Sequence, residues 1–120
     1  MVSSPNASIA AFKDVSVLSI FINDLNIEHI KQLAKNRFAG IFSLKEQTRN
    51  ELLETLYVYL NNNLKIQTTM HELNISKSGL LYRLENLKKY LNTDLKDADE
   101  NFQILLLLKA IEIYSKTSNT

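Results

Sequence analysis

The sequence predicts an all-α fold, a small helical bundle. Only two glycines and one proline occur in 120 residues, too few for a fold built on tight turns. Leucine, lysine and glutamate are plentiful, which favours helix. Apolar residues recur at three- and four-residue spacings in several separate stretches, the period of a helix with one buried face. The length suits one domain with a modest core.

The chain begins with MVSSPNASIAAF, which lacks the basic start and apolar centre of a signal peptide. Residues 1–14 read as a flexible tail. Residues 15–42 read as the end of an upstream domain or a connector. Within them VSVLSIFI, Val15 to Ile22, alternates as a strand does, while Val15, Leu18 and Ile22 also fit one helix face. The N-terminal segment therefore stays open between the two. Asn26 is placed to cap a helix through about Asn36, with Ile27, Ile30, Leu33 and Ala34 on one side. The run FAGIF, Phe38 to Phe42, reads as an apolar connector broken by Gly40.

A bundle is expected over residues 43–117. Ser43 and Glu46 have the spacing of a capping box, in which each side chain satisfies the other's free backbone amide. The helix they open runs to about Leu60, with Leu52, Leu53, Leu56 and Leu60 as its buried stripe. Asn61 to Asn63 end it, because asparagine tolerates the left-handed conformation of helix ends. Ile66, Met70 and Leu73 predict a helix of about two turns. Asn74 fits a left-handed turn position, Ile75 a corner plug, and Ser76 the cap of a helix from Lys77 to about Leu91. Asn92, Thr93 and Asp94 break the chain. Asp97 and Glu100 repeat the capping-box spacing and open a long helix, roughly Ala98 to Ser115. Phe102, Ile104 to Leu108, Ala110, Ile111 and Ile113 make that helix apolar on most sides, so it is either deeply buried or shared with a partner.

Charge is uneven along the chain although the net value is only +1. Lys65, Lys77, Arg83, Lys88 and Lys89 outnumber Glu72 and Glu85 between residues 65 and 91. Asp94, Asp97, Asp99 and Glu100 then dominate residues 92–100. Basic charge thus gathers on the short helix, the turn and the helix after it, where phosphate contacts need it. On a helical wheel Leu80, Leu84, Leu87 and Leu91 fall in one narrow arc, and Ser78, Tyr82, Glu85, Asn86 and Lys89 lie opposite. Leu81 sits between the two faces. Ser76, Ser78 and Gly79 are small and would let the helix tip approach another backbone closely. Two helices joined by a tight turn, the second with a polar outer face, are the layout of a helix-turn-helix. A leucine stripe opposite polar residues also describes an ordinary surface helix, so a plain bundle helix is the competing reading.

The stretch from Leu52 to Ala110 resembles the C-terminal helix-turn-helix domain of PucR-like (purine-catabolism-regulator type) bacterial transcription factors. Leu53, Leu56, Tyr59 and Leu60 match the opening of that pattern. Thr69 and Leu73 match its first motif helix. Leu80, Tyr82, Arg83 and Leu84 match its second, and Leu87, Leu91, Asp94, Leu95 and Asp97 match its exit. The YRL and DLxD pieces at this separation make the likeness fairly specific. Departures are Ser76, Lys77 and Ser78 where the family has a His-Arg-Asn run, Gly79 for threonine, Met70 for a small alanine, Leu81 for a frequent arginine, and Lys65 for asparagine. Lysine keeps the charge of arginine without its planar fork. FKDVSVLSIFINDLNIEHIKQL resembles the segment such regulators carry ahead of the DNA-binding end, which implies a C-terminal fragment whose sensor region is absent.

The resemblance implies sequence-specific binding of double-stranded DNA by a homodimer in the cytoplasm, with the second motif helix in the major groove and an effector that the sequence does not name. Ser76, Lys77, Ser78 and Tyr82 would meet the duplex, and Leu81 a thymine methyl. Lys65, Thr68, Lys88 and Lys89 would hold phosphates, and Arg83 would either join them or brace the fold. Phe102, Leu105, Leu106 and Ile113 are dimerisation candidates. The alternative function is a helical protein–protein interaction or dimerisation module using the apolar C-terminal helix.

Other chemistries lack their residues. No cysteine is present, so disulfides, cysteine nucleophiles and thiolate metal sites are excluded. His29 and His71 are far apart and have no ligand partners at metal spacing. The acidic cluster lacks the alternation and central glycine of a calcium loop and reads as a capped helix start. No glycine-rich phosphate loop or nucleophile elbow occurs. The longest apolar run, Ile104 to Leu108, is far too short to span a bilayer. The expectation is therefore no enzyme, no cofactor and no membrane contact.

Overall fold

A computed structural model describes residues 27–118, and the side chains of residues 27–112. The reading of Val15 to Ile22, the capping by Asn26 and the side chain of Ile113 lie outside these. All regular structure among the described residues is helical: α1 (Ile27–Arg37), α2 (Ala39–Phe42), α3 (Glu46–Asn61), α4 (Ile66–Leu73), α5 (Lys77–Leu91) and α6 (Ala98–Ser118). The chain divides into two units, residues 35–105 and a pair of segments, Met1–Ala34 with Leu106–Thr120. In the described part of the latter, Ala34, Leu108 and Ala110 are buried, while Leu33, expected on the buried face of α1, is 45% exposed.

The unit of residues 35–105 is built around α3 and α5. From α3, Leu52, Thr55, Leu56, Val58 and Leu60 are buried, and Leu53, expected in the stripe, is half-buried. From α5, Leu80, Leu84, Leu87 and Leu91 are all buried, as their shared arc predicts. Burying four leucines contributes about 1.5–3 kcal/mol each before the entropy of ordering them. Helix α4 packs on both α3 and α5.

The segment read as a connector is part of this core. Phe38 and Ile41 are fully buried, and Ala39–Phe42 form a short helix that packs on α3 and α5. The Phe38 and Phe42 rings meet edge to face with centroids 6.0 Å apart. Gly40 does not break the segment. A Cβ there would lie 3.1 Å from Cδ1 of Tyr90, so a side chain at this position would crowd the Tyr90 ring where α2 meets α5.

The capping box at Ser43 does not form. Ser43 instead closes α2, its amide donating to Ala39 O and its hydroxyl to Gly40 O at 2.7 Å. Helix α3 then starts after Lys45, which supplies no side-chain cap. The three asparagines do end α3, with Asn61 still helical, Asn62 as cap and Asn63 left-handed at φ 54°. Leu64 follows at φ 65°, a strained conformation for leucine, held by its amide donating to Tyr59 O at 3.0 Å.

At the far end of α5, Asn92 takes the left-handed cap at φ 54°. Asp97 accepts from the Glu100 amide at 3.0 Å. The Glu100 carboxylate does not complete the box. It accepts from the Thr93 hydroxyl and from Nη2 of Arg37, 2.9 Å away. A tertiary cation outcompetes the local amide because a charged, directed pair is the stronger bond.

Candidate nucleic-acid interface

Helix α4, a three-residue turn and helix α5 form the motif. Asn74 is left-handed at φ 55°, and the Ile75 amide donates to Met70 O at 3.1 Å, which turns the chain sharply. Ile75 is half-buried at the corner. Ser76 is extended at φ −73° and ψ 162°, and its hydroxyl accepts from the Gly79 amide at 3.0 Å, the expected N-cap. The Ser76 and Ser78 hydroxyl oxygens are 3.3 Å apart. A Cβ at Gly79 would lie 3.1 Å from the Ser76 hydroxyl, so the glycine leaves the cap uncrowded.

The outer face of α5 meets solvent. Ser76, Lys77, Ser78 and Lys89 are exposed, Leu81 is 43% exposed and Tyr82 is 72% exposed. Leaving a tyrosine and a leucine so open near one helix end forgoes burial that the same residues would gain inside. Lys65 and Thr68 on the α4 side are also exposed. The backbone amides of the first α5 turn and the positive end of its dipole add to Lys77 in favouring an anion there.

Two of the cations are already engaged. Lys88 is half-buried with its amine 3.5 Å from Glu85, a weak i,i+3 pair. Arg83 is half-buried, and its Nη1 donates to the Thr55 hydroxyl on α3 at 3.1 Å. Of the apolar residues on α6, Phe102 is exposed, and Leu105 and Leu106 are half-buried.

Thr55 was not singled out by the sequence, and neither was the Arg37–Glu100–Thr93 group. Both are polar groups inside stretches that otherwise read as apolar stripe or local cap. In α4 the fully buried residue is Thr69, while Ile66, Met70 and Leu73 are half-buried. The Thr69 hydroxyl donates to Lys65 O at 2.7 Å, as the Thr55 hydroxyl donates to Glu51 O at 2.7 Å. A threonine that satisfies its hydroxyl within its own helix is buried at little polar cost.

His29 and His71 are exposed. Asp94 accepts from the Lys96 amide at 2.9 Å, so with Asp97 the acidic stretch holds the turn and cap before α6. Among the described residues no group of three metal-ligating side chains is found, and no helix is long and apolar enough to cross a membrane.

A short helix, a tight left-handed turn and a leucine-backed second helix with an open tip define a helix-turn-helix protein. Residues 52–110 match the family profile of the PucR C-terminal helix-turn-helix domain. Its class is that of DNA-binding transcription regulation, not of enzymes. The chain is also 29% identical over 91 residues to the purine catabolism regulatory protein of Bacillus subtilis (strain 168), a match covering 76% of this chain and 17% of that protein. The chain thus spans under a fifth of that relative's length. No solved structure matches.

Proposed function

We propose that this chain recognises specific sequences in double-stranded DNA as the C-terminal part of a bacterial transcription regulator, with α5 in the major groove. The observation that carries this reading is the open α5 tip. Ser76, Lys77, Ser78, Leu81 and Tyr82 are all exposed on a helix whose opposite side is a buried leucine ridge. Ser78 and Tyr82 face base edges and sugar, Leu81 takes a thymine methyl, and Lys77 with the first α5 amides takes a phosphate. Lys65, Thr68 and Lys89 hold flanking phosphates, and Lys88 joins them by exchanging Glu85 for DNA. Two copies bind paired half-sites, using Phe102, Leu105, Leu106 and Ile113 of α6. The protein acts in the cytoplasm, and a region outside this chain senses an effector.

The test is selection. The chain is incubated with a pool of random duplexes, and the retained duplexes are sequenced. Enrichment of one motif is expected, with affinity falling steeply as salt rises because counterions are released. Lys77→Ala should weaken binding and leave the helical circular-dichroism signal unchanged; loss of that signal instead would remove Lys77 from the contact set.

The second reading, a helical interaction module working through α6, is favoured by Phe102, a large apolar side chain that is 48% exposed. It predicts association that holds or tightens in salt.

A further inference from the structure

The leucine ridge decides which side of α5 is buried, but apolar contact is non-directional and does not by itself set the helix's rotation about its axis. A directional contact lies on the ridge's flank. Arg83, one residue before Leu84, reaches from α5 to α3, and its Nη1 donates to the hydroxyl of Thr55, which is completely buried. That hydroxyl donates in turn to Glu51 O at 2.7 Å. The polarity of this relay has one solution, because guanidinium cannot accept and a carbonyl cannot donate. On the same flank, seven residues on, Tyr90 rests against Gly40 of α2.

We infer that Arg83 is a positioning residue for DNA recognition. Its bond to Thr55 holds α5 at the rotation that presents Ser78, Leu81 and Tyr82, and Arg83 does not itself bind phosphate. The inference rests on the DNA-binding reading above. It separates Arg83 from the lysines of the motif although all carry the same charge. A phosphate contact adds affinity on any sequence and steepens the salt dependence. A positioning contact adds discrimination, since a rotated helix offers the wrong atoms to the base edges while its cations still meet the backbone.

The experiment uses the 120-residue chain, the duplex enriched by selection and a scrambled duplex of the same composition. Affinities are measured across a salt series. Thr55→Val, which removes the hydroxyl at nearly constant shape, and Arg83→Met should each cut the ratio of selected to scrambled affinity by about tenfold, the scale of one lost charge-assisted hydrogen bond. Both should leave the slope of log affinity on log salt unchanged. The double variant should be no worse than either single one, because both remove the same bond. Thr55→Ser, which keeps the hydroxyl, should restore the ratio.

A slope reduced by about 0.9 in Arg83→Met, with the ratio intact, is the signature of one lost phosphate contact and overturns the inference. If Thr55→Val proves unfolded, Arg83→Met decides by that slope and ratio alone. If the unaltered chain retains no duplex, the DNA reading itself fails, an outcome distinct from the one that removes only the role of Arg83.

Discussion

Phe38–Phe42, which leads into α3 through Ser43, and Asn74–Tyr82, the motif turn with the start of α5, are held by opposite means. The first is apolar and buried, with Phe38 and Ile41 shut away from water and Gly40 pressed against Tyr90. Its conformation depends on residues far along the chain. The second is held by bonds between near neighbours, Ile75 to Met70 and Gly79 to Ser76, and leaves Ser76, Lys77, Ser78, Leu81 and Tyr82 open to solvent while Leu80 is buried. A segment that locks itself locally has its outer surface free for a partner, whereas one locked by burial does not. The contrast supports the proposed working surface at the α5 tip and makes α2 the structural anchor.

The contrast breaks most visibly at Phe38. Phe38→Ala should cost about 3–5 kcal/mol of unfolding free energy by denaturant titration, as large buried aromatics do. A loss under 1 kcal/mol would mean that α2 is not an anchor. Gly40→Val should cost about 1–3 kcal/mol through overpacking against Tyr90, read as a lowered midpoint with an unchanged m-value. Ser76→Ala sharpens the other half of the comparison. Removing a single N-cap should cost about 1 kcal/mol, and the rest of the fold should melt as one unit.

The smallest effect lies at Glu100. Its hydrogen bond from Thr93, then that from Arg37, hold its pKa below the ordinary glutamate value. A lowered folded-state pKa contributes stability above the ordinary glutamate range and loses it as pH falls through the lowered value. The carboxylate side chain is 31% exposed, so solvent screening keeps the contribution small. The difference in melting temperature between the wild-type chain and Glu100→Gln should therefore be present at neutral pH and shrink in acid. A difference that is constant with pH would remove charge from the account.

The motif was legible because its signals are local. Asn74, Asn92 and Ser76 do what their own side chains and backbone preferences allow, whatever surrounds them. The same reasoning misplaced Ser43, whose capping-box spacing with Glu46 is as good as any in the chain. Burial of Phe38 and Ile41 makes a helix of the preceding residues, and Ser43 closes that helix instead of opening the next. Glu100 was likewise claimed by Arg37, which lies 63 residues away. At the candidate site, the exposed tip was readable as the side opposite the leucine arc. The partner of Arg83 was not, because arginine is long enough to reach either solvent or a neighbouring helix.

The amino-acid order alone settled the helical class, the positions of α4 and α5, and the leucine ridge that divides inside from outside. These follow from periodicity and from bonds spanning at most five residues. Only the folded arrangement decided that α2 is core, that Ser43 is an end and not a start, and that Arg83 meets Thr55 on α3. The burial of Phe38 and Ile41 and the bond from Arg83 to Thr55 each depend on residues distant in the chain, and the place of Ser43 follows from the first of these. A distant partner wins when burial strengthens its contact, and burial is a property of the assembled helices, not of any one of them.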